Sequence, residues 1–202
     1  MSLKPKFIKY VTSAALGEQL PEPTHDEIIM IGRSNCGKSS LINTISESNK
    51  IARTSKRPGA TQMANFFNFG DQFTLVDLPG YGFSKASKAI QKNWQSLAEA
   101  CFFRPSVKVA LCLNDSRREP NDMDFELWHL LDRNAKLIFV LTKADKLKQN
   151  ELRLIKGKFS KIVSANGFDV DESQVFVSSS NKKQISQPLK DYLYQEMANT
   201  QQ

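Results

Sequence analysis

Cysteine is scarce in this 202-residue chain: Cys36, Cys101 and Cys112 are its only three, and no two stand in a C-x-x-C pair. A disulfide framework and a zinc ribbon are thereby excluded. The composition suits a reducing compartment, so a cytoplasmic protein is expected. Histidine is scarcer still: His25 and His129 are too few for a histidine-rich metal site. Long apolar runs are missing. Segments such as residues 137–141 fall far short of the ~18 residues a membrane helix needs, and no membrane partner is expected. Lys4, Lys6 and Lys9 stand near the start, but no apolar stretch follows them as it would in a secretory signal. Acidic charge is in deficit, with 21 Asp and Glu against 28 Lys and Arg, a net charge of +7. That balance suits an acidic partner, of which nucleic acid is the commonest for a soluble protein.

What is present is an alternation of short apolar strands and helix-length segments. Residues 27–31 read as a buried strand ending at Gly32, and 38–45 as a helix. The polar, basic stretch 49–62, with Pro58-Gly59, reads as a loop. Residues 65–69 and 73–76 flank Gly70-Asp71 as a tight antiparallel hairpin. Ile90, Trp94, Leu97 and Cys101 fall at helical spacing, as do Phe125, Trp128 and Leu131. Strands are expected at 107–113, 137–141 and 175–177. Helices are expected at 152–163 and through Ile185, Leu189, Leu193 and Met197. Six strands alternating with helices argue an α/β fold: a mixed sheet covered on both faces, mostly parallel, with one antiparallel strand at an edge. Residues 1–25 read as an arm packed on the core, set off by Pro21 and Pro23, and residues 26–202 as one domain.

Gly32-Arg33-Ser34-Asn35-Cys36-Gly37-Lys38-Ser39 matches GxxxxGK[ST] without a gap, after a strand and before a helix. The glycines let backbone wrap phosphate oxygens, and successive N–H groups plus the helix N-terminus attract the anion. Lys38 should bridge the β- and γ-phosphates, and the Ser39 hydroxyl should ligate Mg²⁺. Asp77-Leu78-Pro79-Gly80 follows a strand. Asp77 can hold Mg²⁺ through water, and the Gly80 N–H can reach a γ-phosphate. Thr142-Lys143-Ala144-Asp145 follows the next-but-one strand. Asp145 can accept two hydrogen bonds from guanine N1 and N2, a donor pair adenine lacks, while the stem of Lys143 lies over the base. Ser178-Ser179 could offer a backbone N–H to guanine O6. For Cys36, two readings stand: a thiol whose pKa the helix terminus lowers, or a small side chain filling a tight loop.

These motifs, with residues 54–62 (TSKRPGATQ), Asn65-Phe66-Phe67 and residues 76–83 (VDLPGYGF), make the chain resemble the EngB (YihA/YsxC) family of bacterial P-loop GTPases, within the TrmE-Era-EngA-EngB class. The resemblance implies a three-layer, Ras-like GTPase domain. It implies Mg²⁺-dependent binding of GTP and GDP, hydrolysis of GTP, and a monomer acting in assembly of the large ribosomal subunit, with a consequent requirement in cell division and septation. It assigns Gly32 to Ser39 to the phosphates, and Ser39 and Thr61 to the metal. Gly59, Ala60, Thr61, Gln62 and Met63 become the first switch, and Asp77 to Gly80 the second. Thr142 to Asp145 read the base, and Val177, Ser178 and Ser179 close over it. Lys38, Thr61 and Gly80 carry catalysis. Two departures stand out: Thr142 where many GTPases have Asn, and no glycine after Lys182-Lys183.

Many relatives place Gln directly after the DxxG glycine. Here Tyr81 stands there and cannot orient a water as an amide does, so slow intrinsic turnover is expected. A partner, or K⁺ held near Asn35, would supply the missing charge. Gln62 is a second candidate for positioning water. Two other classes remain open from the residues alone: an ATP-dependent P-loop ATPase or kinase, and a non-catalytic RNA-binding module with a structural nucleotide site.

Overall fold

The computed structural model describes residues 8–47, 51–52, 62–82, 87–181 and 186–199. Seven strands form one sheet: β1 (Ile8–Ala14), β2 (Glu27–Gly32), β3 (Ala64–Phe69), β4 (Phe73–Asp77), β5 (Val107–Asp115), β6 (Lys136–Thr142) and β7 (Val175–Val177). Their order across the sheet is β1-β3-β4-β2-β5-β6-β7. From β4 through β7 all neighbours are parallel, while β3 is antiparallel to both β4 and β1.

The α/β architecture expected from the sequence is the one found, but the sheet has seven strands among the described residues, not six. The antiparallel strand is also not at an edge. Residues 8–14, inside the segment read as an arm, pair with β3 from Ile8↔Phe69 to Ala14↔Ala64 and form the outer strand. The cause is physical: Phe66, Phe67 and Phe69 are buried in β3, and a strand so apolar is a poor edge. The Gly70 turn, at φ +60°, closes the β3–β4 hairpin as the sequence suggests.

Alternation along β2 explains the two cores. Ile29 and Ile31 face Leu97, Trp128 and Phe159 on one side. Ile28 and Met30 face Leu41, Ile42 and Leu193 on the other. The first side is covered by α2 (Lys88–Phe102), α3 (Asp122–Leu131) and α4 (Gln149–Ala165), the second by α1 (Lys38–Ile45) and α5 (Gln187–Asn199). Each fully buried Ile or Leu contributes roughly 1.5–3 kcal/mol. With helices on both faces, the open rim at the carboxyl ends of β2, β4, β5, β6 and β7 is where the loops converge, the usual ligand rim of such a sheet. At the opposite end of β2 the buried Glu27 carboxylate is held by Arg104 at 2.7 and 2.9 Å and by the Ser106 hydroxyl at 2.9 Å.

Candidate functional site

The loop from β2 to α1 is shaped by two left-handed residues, Asn35 at φ +61° and Gly37 at φ +113°. Asn tolerates that region and glycine is at home in it. Gly37 is the N-cap of α1 without a side-chain cap, so the first N–H groups of the helix face the loop. Lys38 is buried, with its ammonium 3.3 Å from the Gly32 carbonyl at the centre of the turn. Ser39 follows on α1, partly exposed beside it. Cys36 is buried, and burial pushes its thiol up despite the pull of Lys38. Its sulfur packs into the space beside Gly32, so the space-filling reading holds.

β4 delivers Asp77 beside this loop, paired in register with Met30. Asp77 is buried and its Oδ1 has no hydrogen-bond partner. Burial pushes its pKa up to about 6 against the opposing pull of Lys38. An acid this dehydrated, with an oxygen left over, fits a cation reached through water. The chain then runs straight across the P-loop. Ser34 N–H donates to the Tyr81 carbonyl at 2.9 Å, and Tyr81 N–H to the Gly32 carbonyl at 3.3 Å. A Cβ on Gly80 would lie 2.8 Å from Ser34 Cα and 3.0 Å from Lys38 Nζ, so only glycine permits this approach. The Trp94 indole N–H holds the Pro79 carbonyl at 2.8 Å. Leu78 is buried in the core below. Tyr81 is buried too, its hydroxyl 2.5 Å from Asp124 Oδ1 at the start of α3. Burial and the Asp124 carboxylate keep that phenol protonated.

β6 delivers the third element. The Thr142 hydroxyl donates to the Cys36 carbonyl and lies 3.2 Å from that of Asn114. Thr142 thus ties the segment to the P-loop through its oxygen, a role for which Asn is not needed. Lys143 is left-handed at φ +59°, which turns its side chain back over the P-loop. Its ammonium donates to the Asn35 carbonyl at 2.6 Å. Ala144 N–H bonds the Ser178 carbonyl at 3.1 Å, locking the segment to the end of β7 at Val177. Asp145 accepts from the Ser179 hydroxyl at 2.9 Å and from the Asn181 amide at 3.1 Å. Burial raises its pKa, but the hydrogen bond from Ser179 and the proximity of Lys146 outweigh it, and the carboxyl stays below its ordinary value. Ser178 N–H is used by the Leu141 carbonyl at 2.8 Å, so of the two serines it is Ser179 that faces Asp145.

The rim therefore gathers residues 32–39, 77–80, 142–145 and 177–179, as the motifs require. Gln62 and Met63 are exposed where the chain enters β3. Gly59, Ala60 and Thr61 lie outside the described residues. Sequence reasoning missed Asn114, Asp115, Arg117 and Asn181. Asn114 and Asp115 end β5 at the same rim, and that position was the signal that could have found them. Asp115 is held by the Arg117 guanidinium at 2.6 and 2.9 Å and by the Lys143 ammonium at 2.9 Å.

Comparison with known proteins bears on this geometry. Residues 27–143 match the family model described as "50S ribosome-binding GTPase". The chain is 40% identical to a probable GTP-binding protein EngB of Natranaerobius thermophilus over 190 residues, 92% of this chain and 97% of that one. It is 44% identical to its counterpart in Fusobacterium nucleatum over 153 residues, 74% and 78% of the two chains. In three dimensions it resembles a crystal structure of a probable GTP-binding protein engB, with a TM-score of 0.65 at 22% identity over 86% of this chain and 99% of that chain. A point variant of Era from Aquifex aeolicus, bound to GDP·AlF4⁻, shares the fold, with a TM-score of 0.60 at 18% identity over 82% and 56% of the two chains.

Proposed function

The chain belongs to the EngB family of GTP-binding proteins and is a P-loop GTPase, and from that premise we propose that it works as a slow, Mg²⁺-dependent GTP switch in assembly of the large ribosomal subunit. The observation that carries the switch is the path of residues 77–82 directly over the P-loop. A γ-phosphate beside Lys38 needs the space that Gly80 occupies against Ser34. GTP therefore lifts this segment, and the loss of phosphate lets it settle back. The segment leads into α2, whose Lys88 and Lys92 are exposed one turn apart. A nucleotide-controlled loop joined to a basic helix suits a phosphate backbone. The description of the matching family model as ribosome-binding points to the 50S particle as its source. The division and septation requirement is read as a consequence of impaired assembly. The working form is a cytoplasmic monomer with no membrane partner.

For hydrolysis, Lys38 and the N–H groups of residues 33–39 neutralise charge on the β- and γ-phosphates. Ser39 and Thr61 would hold Mg²⁺ directly and Asp77 through water, which gives the orphaned Asp77 oxygen its partner. Bound there, Mg²⁺ would supply charge for the leaving diphosphate. Thr61 and Gly80 contact the γ-phosphate only while it is present. Tyr81 spends its hydroxyl on Asp124 and contributes nothing to aligning water. Intrinsic turnover is then slow, and K⁺ at Asn35 or a ribosomal group completes the charge. Asp145 reads guanine, with Ser179 and Asn181 aiming its carboxylate.

Co-sedimentation with purified ribosomal subunits tests this reading. GTP-loaded protein travels with the 50S particle and GDP-loaded protein does not, and turnover is faster in K⁺ than in Na⁺ at matched ionic strength. Equal sedimentation of both nucleotide states would remove the switch, and sedimentation of neither would remove the ribosomal role. Equal turnover would remove K⁺ from it.

A further inference from the structure

We infer that Asp115 is a positioning residue for guanine nucleotide binding: it fixes the Lys143 ammonium against the P-loop so that the lysine stem is laid out, before ligand arrives, as the surface that covers the purine. The inference rests on the reading of residues 142–145 as the base-binding segment.

The geometry is a three-way clamp. Lys143 Nζ lies 2.6 Å from the Asn35 carbonyl and 2.9 Å from Asp115 Oδ2. Asp115 is itself immobilised: Oδ1 accepts the Arg117 N–H at 3.2 Å and Nε at 2.9 Å, and Oδ2 accepts the far guanidinium nitrogen at 2.6 Å. Its carboxylate is 9% exposed, whereas the Arg117 side chain is 46% exposed. Burial pushes the Asp115 pKa up, yet the hydrogen bonds from Arg117 and Lys143 more than reverse this, and the group stays ionised well below the usual carboxylate range. Both ends of the clamp are left-handed non-glycine residues, Asn35 and Lys143. Such backbone is strained and persists where neighbours over-determine it.

Without Asp115 the lysine has somewhere else to go. Lys143 lines a cleft of about 200 Å³ together with Arg33, Asn35, Leu113, Asn114 and Arg118. A free lysine side chain samples many rotamers, and the ion pair offsets the cost of fixing one before the nucleotide binds. This is pre-organisation, so it should be read in nucleotide release.

The test measures release of a fluorescent GDP, and of the inosine analogue, from the full chain. Asp115→Asn speeds release about tenfold, the scale of one charge-assisted hydrogen bond. Asp115→Asn combined with Lys143→Met releases no faster than Lys143→Met alone, because both changes remove one interaction. Arg117→Ala releases faster than wild type but no faster than Asp115→Asn, since it loosens Asp115 without removing it. The loss for Asp115→Asn is the same for GDP and IDP, because the lysine covers the ring face and ignores the 2-amino group. Additive effects of Asp115→Asn and Lys143→Met would overturn the inference. So would a loss confined to GDP, which would place the action of Asp115 on Asp145. If Asp115→Asn folds poorly, Arg117→Ala decides alone: release as slow as from wild type would show that Asp115 serves only to shape its loop. A wild-type chain that holds no guanine nucleotide would instead sink the base-binding reading itself.

Discussion

Asp77 carries a cost that the proposed metal site would offset. Its carboxylate is buried with one oxygen unpartnered, and burial lifts its pKa from 3.8 to about 6. The sign of the consequence follows from linkage. Between those two values the folded chain binds the proton and the unfolded chain has released it. Folding stability from this group therefore falls as pH rises from about 4 to 6, and the penalty is complete above 6. The full span corresponds to about 3 kcal/mol at most. Asp77→Asn should accordingly raise the unfolding free energy of the nucleotide-free protein at pH 7. The gap between variant and wild type should shrink as pH is lowered towards 4. Urea unfolding at the two pH values checks this, and a gap of the same size at both would contradict it. The same variant should lose the Mg²⁺ dependence of GTP binding, since the water-mediated carboxylate is gone.

The elements differ in how openly the sequence announces them. Strand β2 and helix α1 were readable because an apolar run ends at Gly32 and a GKS triplet opens a helix, each a local signal. Strand β1 was not, because its burial does not alternate: Lys9, Tyr10 and Val11 are all exposed. A register shift between Tyr10 and Thr12 breaks the period on which strand reading depends. The Asp115–Lys143 clamp was illegible for a different reason: Asp115 ends β5 and Lys143 follows β6, and only the sheet brings them together. The second switch shows the same limit. Tyr81 was legible as a residue unable to align water, but its partner Asp124 lies in another element, where it also closes the capping box of α3 by accepting from Asn121 N–H at 2.9 Å. Tyr81→Phe deletes the 2.5 Å bond and leaves a buried carboxylate oxygen unpaired. Such a loss costs about 1–3 kcal/mol. For a chain of this size, 2 kcal/mol lowers Tm by about 4–8 °C. Intrinsic GTP turnover should stay low, because the hydroxyl points into α3. An unchanged Tm, or turnover that rises severalfold, would show that this hydroxyl does something other than anchor the loop.

At the scale of the whole molecule, the proposed switch and the excess of basic charge are to be weighed together. The net +7 is not in itself an address, since a solvated basic surface would give the same number. Its placement is more telling. Lys88 and Lys92 stand exposed at the start of α2, the next described element after the segment that crosses the P-loop. Lys50, Arg53, Lys56 and Arg57 belong to the basic stretch 49–62 that leads into the first switch, outside the described residues. If the GTP state presents these cations to ribosomal RNA, binding must release counterions. Affinity for the 50S particle should then fall linearly on a log–log plot against salt. With six to ten phosphates engaged, the loss from 50 to 200 mM salt is about 10³–10⁵. Replacing Lys88 and Lys92 with Glu should flatten that slope by about two, near one per phosphate contact removed. Release of GDP should be untouched, because neither lysine is among the residues gathered at the nucleotide rim. A slope that keeps its wild-type value in this double variant would move the RNA contact off α2. A GTP-state affinity indifferent to salt would show that the particle is recognised through protein surface, and the basic balance of the chain would then have no part in recognition.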